Sequence, residues 1–86
     1  MADQINEHVL VLEAERDRLR NAVQHLSSSN RQLKQALEED GPDAEYQEAI
    51  GENIVVIAKY HGQIALLEKD IKAAREAQPC ADTTTR

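Results

Sequence analysis

The sequence has no phenylalanine and no tryptophan, and its aromatic residues are Tyr46 and Tyr60. Large aromatic side chains usually anchor a globular core, and a chain of 86 residues builds a compact core with difficulty unless disulfides, metal or oligomerisation help. The common residues are Ala, Leu, Ile, Glu, Gln, Lys and Arg, a composition typical of long helices and coiled coils. We therefore expect an all-α protein.

Cysteine is nearly absent as well, because Cys80 is the single one. An intramolecular disulfide is excluded, and a reducing compartment is favoured. We expect a cytoplasmic protein that is also found in the nucleus. No apolar run approaches the roughly 20 residues of a membrane span, and the first residues lack the basic and apolar regions of a secretory signal. The net charge of −6 argues against nucleic acid or an anionic membrane as partner.

Residue patterns that carry catalysis or metal binding are also missing. The three histidines, His8, His25 and His61, are far apart, and Cys80 has no second cysteine at ligand spacing. The sequence contains neither a glycine-rich phosphate loop nor a nucleophile elbow. We therefore expect a non-enzymatic protein without a cofactor or a bound metal.

Apolar residues of the first half recur with the seven-residue period of a coiled coil. One position of the repeat, here called d, is filled by Ile5, Leu12, Leu19, Leu26 and Leu33, and the a position by Val9, Arg16, Val23, Asn30 and Leu37. The phase continues through the polar stretch of residues 27–30, which predicts one helix over 4–39. The alternative is a second helix that begins at Ser29, with Ser29 and Gln32 as a capping box.

A turn is predicted at residues 40–43. Gly41 adopts the left-handed conformation that ends helices, Pro42 suits the first turn of a new helix, and Asp43 is a good cap. The helix predicted over 44–77 has its own seam, with Ile50, Ile57, Ile64 and Ile71 at a and Tyr46, Asn53, Tyr60, Leu67 and Ala74 at d. We expect a disordered tail over 78–86.

The two seams align when the chain folds back at this turn. A register that sets Leu37 against Tyr46 also sets Leu19 against Ile64, and it brings Asn30 opposite Asn53. A slipped register would bury each amide against apolar side chains at a cost of about 1–3 kcal/mol, so the two asparagines are predicted to fix the register. The predicted fold is an antiparallel two-helix coiled-coil hairpin over 4–77. The alternative is that Asn30 marks a frayed, solvated segment.

Several apolar residues lie outside the seams. In the second helix, Val55, Lys59, Gly62 and Leu66 form one outer stripe at helical spacing, and a glycine inside a helix costs about 1 kcal/mol relative to alanine. Clustered exposed apolar residues favour a protein-binding surface, and isolated surface residues are the alternative. The predicted partner-binding residues are Val55, Val56, Gly62, Leu66, Leu10 and Val11.

Two segments resemble a known family. The first, "HLSSSNRQL", carries His25, Leu26, Ser29, Asn30 and Leu33, and the second, "YQEAIGENIVVIAKYHGQIALLE", carries Tyr46, Ile50, Glu52, Asn53, Ile54, Val56, Tyr60 and Leu67. Over residues 22–68 the chain is similar to the yeast translation-machinery-associated protein family, which acts as a dedicated assembly chaperone of the proteasome ATPase ring. It departs from that pattern in a shorter linker and in the absence of a long acidic tail.

The resemblance implies a chaperone that binds the helical amino-terminal region of one proteasomal ATPase subunit and promotes pairing with its neighbour. The alternative is a structural coiled-coil subunit that self-associates, for example as a dimer of hairpins forming a four-helix bundle. A prefoldin-like subunit is disfavoured, because residues 38–45 are too few to form strands between the helices.

Overall fold

The computed structural model describes the backbone of residues 2–77 and the side chains of residues 7–77. Within this part of the chain, all regular structure is helical: α1 spans Ala2–Asp40 and α2 spans Ala44–Glu76. The two helices pack side by side and antiparallel in an elongated body of 67 × 16 × 15 Å. The predicted all-α hairpin is confirmed. The predicted disordered tail, residues 78–86 with Cys80, lies outside the described residues.

Helix α1 is continuous for 39 residues, through the polar stretch of residues 27–30. The capping-box break at Ser29 is therefore wrong. The three serines lie outside the seam, and the heptad continues in phase to Leu33 on the far side. Each serine costs only about half a kcal/mol of helix propensity, which packing along the seam offsets. The helix begins at Ala2 and ends at Asp40, slightly beyond the 4–39 expected.

The turn consists of residues 41–43. Gly41 has φ of 95°, a conformation that costs an L-residue with a Cβ, and its amide donates to the Leu37 carbonyl at 3.0 Å. The Asp43 backbone is extended, and its carboxylate accepts from the Tyr46 amide at 3.1 Å, which satisfies a free donor of the first turn. Helix α2 ends at Glu76 and is followed by Ala77 as its cap.

The apolar core is concentrated at the open end of the hairpin, which is the end away from the turn. Its buried members are Val9, Leu19, Ile64 and Ile71. Nearer the turn, the seam residues Leu26, Leu33, Ile50 and Ile57 are half-buried. Two helices cover only one stripe of each other, so the turn half leaves its apolar seam partly accessible to water.

Candidate partner-binding surface

The polar layer in the middle of the seam is formed by Asn30 and Asn53. Asn53 Nδ2 donates to Asn30 Oδ1 at 2.9 Å, and Asn30 Nδ2 donates to the Ile50 carbonyl at 3.4 Å. Asn30 is 7% exposed and is the buried polar residue of the described chain. The buried Asn30 side chain therefore finds both of its partners, the Asn53 amide and the Ile50 carbonyl, only in this register, which holds the faces of α1 and α2 at fixed heights relative to each other.

Ion pairs that the sequence reasoning missed join the helices at the open end. Arg20 pairs with Glu68, and Arg75 pairs with Glu13. All four occupy the e position of their heptads, so the antiparallel register itself predicts them. These exposed pairs contribute little free energy, but their opposite charges disfavour a shifted alignment of α1 on α2.

A further exposed pair, Glu15 with Arg18, lies within α1, with 2.6 Å between Glu15 Oε2 and Arg18 Nη2. The hydrogen bond from Arg18 holds the pKa of Glu15 below its ordinary value. A depressed carboxyl pKa gives a contribution to stability that is present above the unfolded-state pKa and is lost as the pH falls through the folded-state pKa. Because both side chains face solvent, this contribution is small.

The predicted binding residues of α2 lie largely in solvent. Val55 is 68% exposed and Leu66 is 64% exposed. Gly62 lies between them on the same side of the helix and is also exposed, whereas Val56 is half-buried because it borders the seam. Three of these four residues therefore belong to a free outer face, and the fourth is shared with the contact between the helices.

The predicted binding residues of α1 form a separate patch. Leu10 and Val11 are 59% and 67% exposed, but they lie near the open end on the other helix. In the observed register, Val55 of α2 is level with residue 28 of α1. That height is about 26 Å along the hairpin from Leu10 and Val11, at 1.5 Å per residue. The structure thus does not bring the six predicted residues together in one surface.

The outer face of α2 is wider than the sequence reasoning indicated. Ile54 is 53% exposed, and Gly51 and Ala58 are exposed as well. The sequence signal for these residues was their spacing of three and four residues, which places them on one side of the helix. We define the outer face of α2 by the residues that share this side: Gly51, Ile54, Val55, Ala58, Gly62 and Leu66.

Charge is distributed unevenly along the hairpin. Between Lys34 and Lys59 the chain has seven acidic residues and no basic one: Glu38, Glu39, Asp40, Asp43, Glu45, Glu48 and Glu52. Among the described residues, none of the seven forms an ion pair. The turn end therefore carries more than the whole net charge of −6, and it adjoins the outer face of α2.

The main surface feature of the described residues is the exposed apolar face of α2. They contain no group of three or more His, Cys, Asp or Glu side chains placed to hold a metal ion. Neither α1 nor α2 is long and apolar enough to cross a membrane. An exposed apolar helix face suits contact with another protein.

A comparison with protein families assigns the chain to a family. The model of the family described as the TMA17 helical domain matches residues 5–77, which covers nearly all of α1, the turn and the whole of α2. The chain belongs to the TMA17 helical-domain family. Membership in this family agrees with the resemblance found in the segments around Asn30 and Asn53, and it is consistent with an adaptor-like protein that acts through its helices. No curated protein and no solved structure matches the chain.

Proposed function

We propose that this protein is a non-enzymatic assembly chaperone or adaptor that binds a helical segment of a partner. The proposed partner is the helical amino-terminal region of a proteasomal ATPase subunit, which the hairpin would hold until the subunit pairs with its neighbour. Membership in the TMA17 helical-domain family supports this proposal.

The observation that carries the proposal is the exposure of large apolar side chains on α2. Ile54, Val55 and Leu66 are each more than half exposed in the hairpin. Amphipathic helices bind such faces by inserting their own apolar residues at helical spacing. Burial of a Val or Leu side chain at an interface contributes about 1.5–3 kcal/mol, so a few such contacts support a specific complex.

The test is co-purification with the amino-terminal region of each proteasomal ATPase subunit in turn. We expect wild-type protein to form a one-to-one complex with one of them, and Val55→Lys and Leu66→Lys to weaken that complex at least about tenfold, which corresponds to about 1.4 kcal/mol. Gln24→Lys is the matched control, because it adds the same charge at an exposed position of α1.

Helicity measured by circular dichroism must stay unchanged in all three variants. Failure of the wild-type protein to bind any of these subunits would refute the proposed partner. Light scattering over a range of concentrations separates the self-associating alternative: a stable homo-oligomer that ignores the ATPase subunits would favour a structural role.

A further inference from the structure

The middle of α2 carries almost no charge. From Asn53 to Leu67, Lys59 is the single residue with a formal charge. Helix α1 covers one side of this segment, where Ile57 and Ile64 lie, while Val55 and Leu66 on the opposite side remain exposed. A helix that is apolar on most sides is normally buried on most sides. The hairpin therefore buries only part of the apolar surface of this segment.

The two glycines of the outer face are not required by the hairpin itself. A Cβ on Gly51 or on Gly62 would meet no heavy atom within 4 Å, and neither residue has a positive φ. Alanine would fit at both places and would favour the helix. A helix surface without side chains permits the close approach of another backbone, so these two glycines suit a helix bound against this face.

The acidic residues at the turn end indicate that the partner is basic. Glu48 and Glu52 lie on α2 beside the start of its outer face, and Glu38, Glu39 and Asp40 lie in the last turn of α1. Carboxylates are unfavourable at this negative end of a helix dipole, and no basic residue of that turn compensates them. Basic side chains from outside would neutralise this end of the hairpin.

We infer that the outer face of α2 binds one amphipathic helix that runs antiparallel to α2 and places lysine or arginine residues of its last turn over the acidic turn end. The orientation follows from helix electrostatics, because basic residues stabilise the carboxyl end of a helix and that end must lie near the amino end of α2. Large apolar residues of the bound helix pack over Gly51, Ala58 and Gly62, between Ile54 and Leu66. This inference rests on the proposed function and specifies its surface and its partner.

A second copy of the chain fits this face less well. In an antiparallel pair, residues 64–76 of the copy would lie against the acidic end, and they contain three acidic and three basic residues. In a parallel pair, two acidic turn ends would lie side by side. Neither arrangement supplies the net positive charge that would neutralise the turn end, so a different protein is favoured.

The test uses the full chain and a fluorescein-labelled helical peptide of about 25 residues, which spans the outer face at 1.5 Å per residue. The peptide carries leucines at heptad spacing and lysines in its last turn, and a second peptide of the same composition carries them in its first turn. Fluorescence anisotropy gives Kd for wild-type protein, for Gly62→Leu and for Asn21→Leu. Asn21 is the matched control, because it lies on the outer side of α1 at the same height as Gly62.

We expect wild-type and Asn21→Leu proteins to bind the first peptide equally. Gly62→Leu should bind it at least about tenfold more weakly, and the second peptide should bind wild-type protein about tenfold more weakly. Equal binding by Gly62→Leu, equal binding of the two peptides, or no binding by wild-type protein would overturn the inference. So would a wild-type homodimer that Gly62→Leu dissociates.

The outcome is distinguishable from that of the proposed function. An ATPase complex that survives Gly62→Leu would refute the assignment of this face and leave the proposed function standing. If the peptides bind in the expected pattern but no ATPase complex forms, the assignment of this face would stand and the proposed function would be refuted. Gly62→Leu is expected to fold, since a Cβ at this position meets no other atom, and circular dichroism verifies that it does.

Discussion

At the scale of single residues, the amide layer makes the sharpest stability prediction. Asn53→Leu removes the group that donates to the buried Asn30 side chain, and an unsatisfied buried amide costs about 1–3 kcal/mol. We expect the free energy of unfolding, measured with urea, to fall by that amount. The double variant with leucine at both positions should recover most of it, because two apolar groups replace two polar ones.

The control for this pair is Asn21→Leu at an exposed position, with a change within about 0.5 kcal/mol. In the double variant, the register should be less well defined, since it is the polar layer that disfavours slipped alignments. A single variant Asn53→Leu as stable as wild-type protein would show that the amide contact contributes nothing.

Two glycines should respond in opposite directions to the same substitution. Gly62→Ala adds a Cβ in open space inside a helix and should stabilise the protein by about 0.5–1 kcal/mol. Gly41→Ala forces a Cβ into a backbone with φ of 95° and should destabilise it by about 1–2 kcal/mol. Thermal unfolding followed by circular dichroism measures both, and about 1 kcal/mol shifts Tm by roughly 4–8 °C in a domain of this size. A fall in Tm for Gly62→Ala would mean that the glycine serves the hairpin itself.

Seam residues were predictable from the sequence, whereas surface residues were only partly so. The contact of Asn30 with Asn53 follows from two heptads and one fold point, because a repeat fixes which residues meet. Leu10 and Val11 were grouped with Val55 because all three are apolar residues outside the seams. A position outside the seam does not place two residues on the same surface, and the structure separates them.

At the scale of the elements, α2 depends on its first cap. Asp43→Ala removes the carboxylate that accepts from the Tyr46 amide and should cost about 0.5–2 kcal/mol. Asp40→Asn is the matched control at the end of α1. It removes a negative charge from the negative end of a helix dipole and should stabilise the protein by about 0.3–1 kcal/mol. Urea unfolding measures both changes, and equal losses would contradict this account of the turn.

The limits of both helices were set by local chemistry that the sequence displays. Gly41 and Asp43 have fixed conformational roles, so the turn could be placed to within a residue. The polar stretch of residues 27–30 was the ambiguous element, because its capping-box pattern is locally compatible with a break. Continuity of the heptad resolved it, since a loop rarely preserves the phase of a seam.

At the scale of the whole molecule, charge and apolar surface are both polarised along one axis. The buried core lies toward the open end, together with the ion pairs of Arg20 and Arg75, and the acidic residues lie at the turn. The heptads predict the axis, and the acidic residues on both sides of the turn are visible in the sequence, whereas the concentration of buried residues away from the turn appears only in the folded hairpin. The buried core and the ion pairs between the helices therefore lie in one half of the hairpin, and the acidic residues that form no ion pair within the described chain lie at the other end.

The shape of the free protein tests this arrangement as a whole. The hairpin has a radius of gyration of 19.5 Å, against about 12 Å for a globular domain of the same length. One unbroken rod of these residues would be about 110 Å long at 1.5 Å per residue and would have a radius of gyration of about 32 Å. We expect small-angle X-ray scattering to give a value near that of the hairpin, independent of protein concentration. Gly62→Ala should leave it unchanged. A value near either extreme would refute the fold, and a rise with concentration that Val55→Lys abolishes would assign the outer face of α2 to self-association.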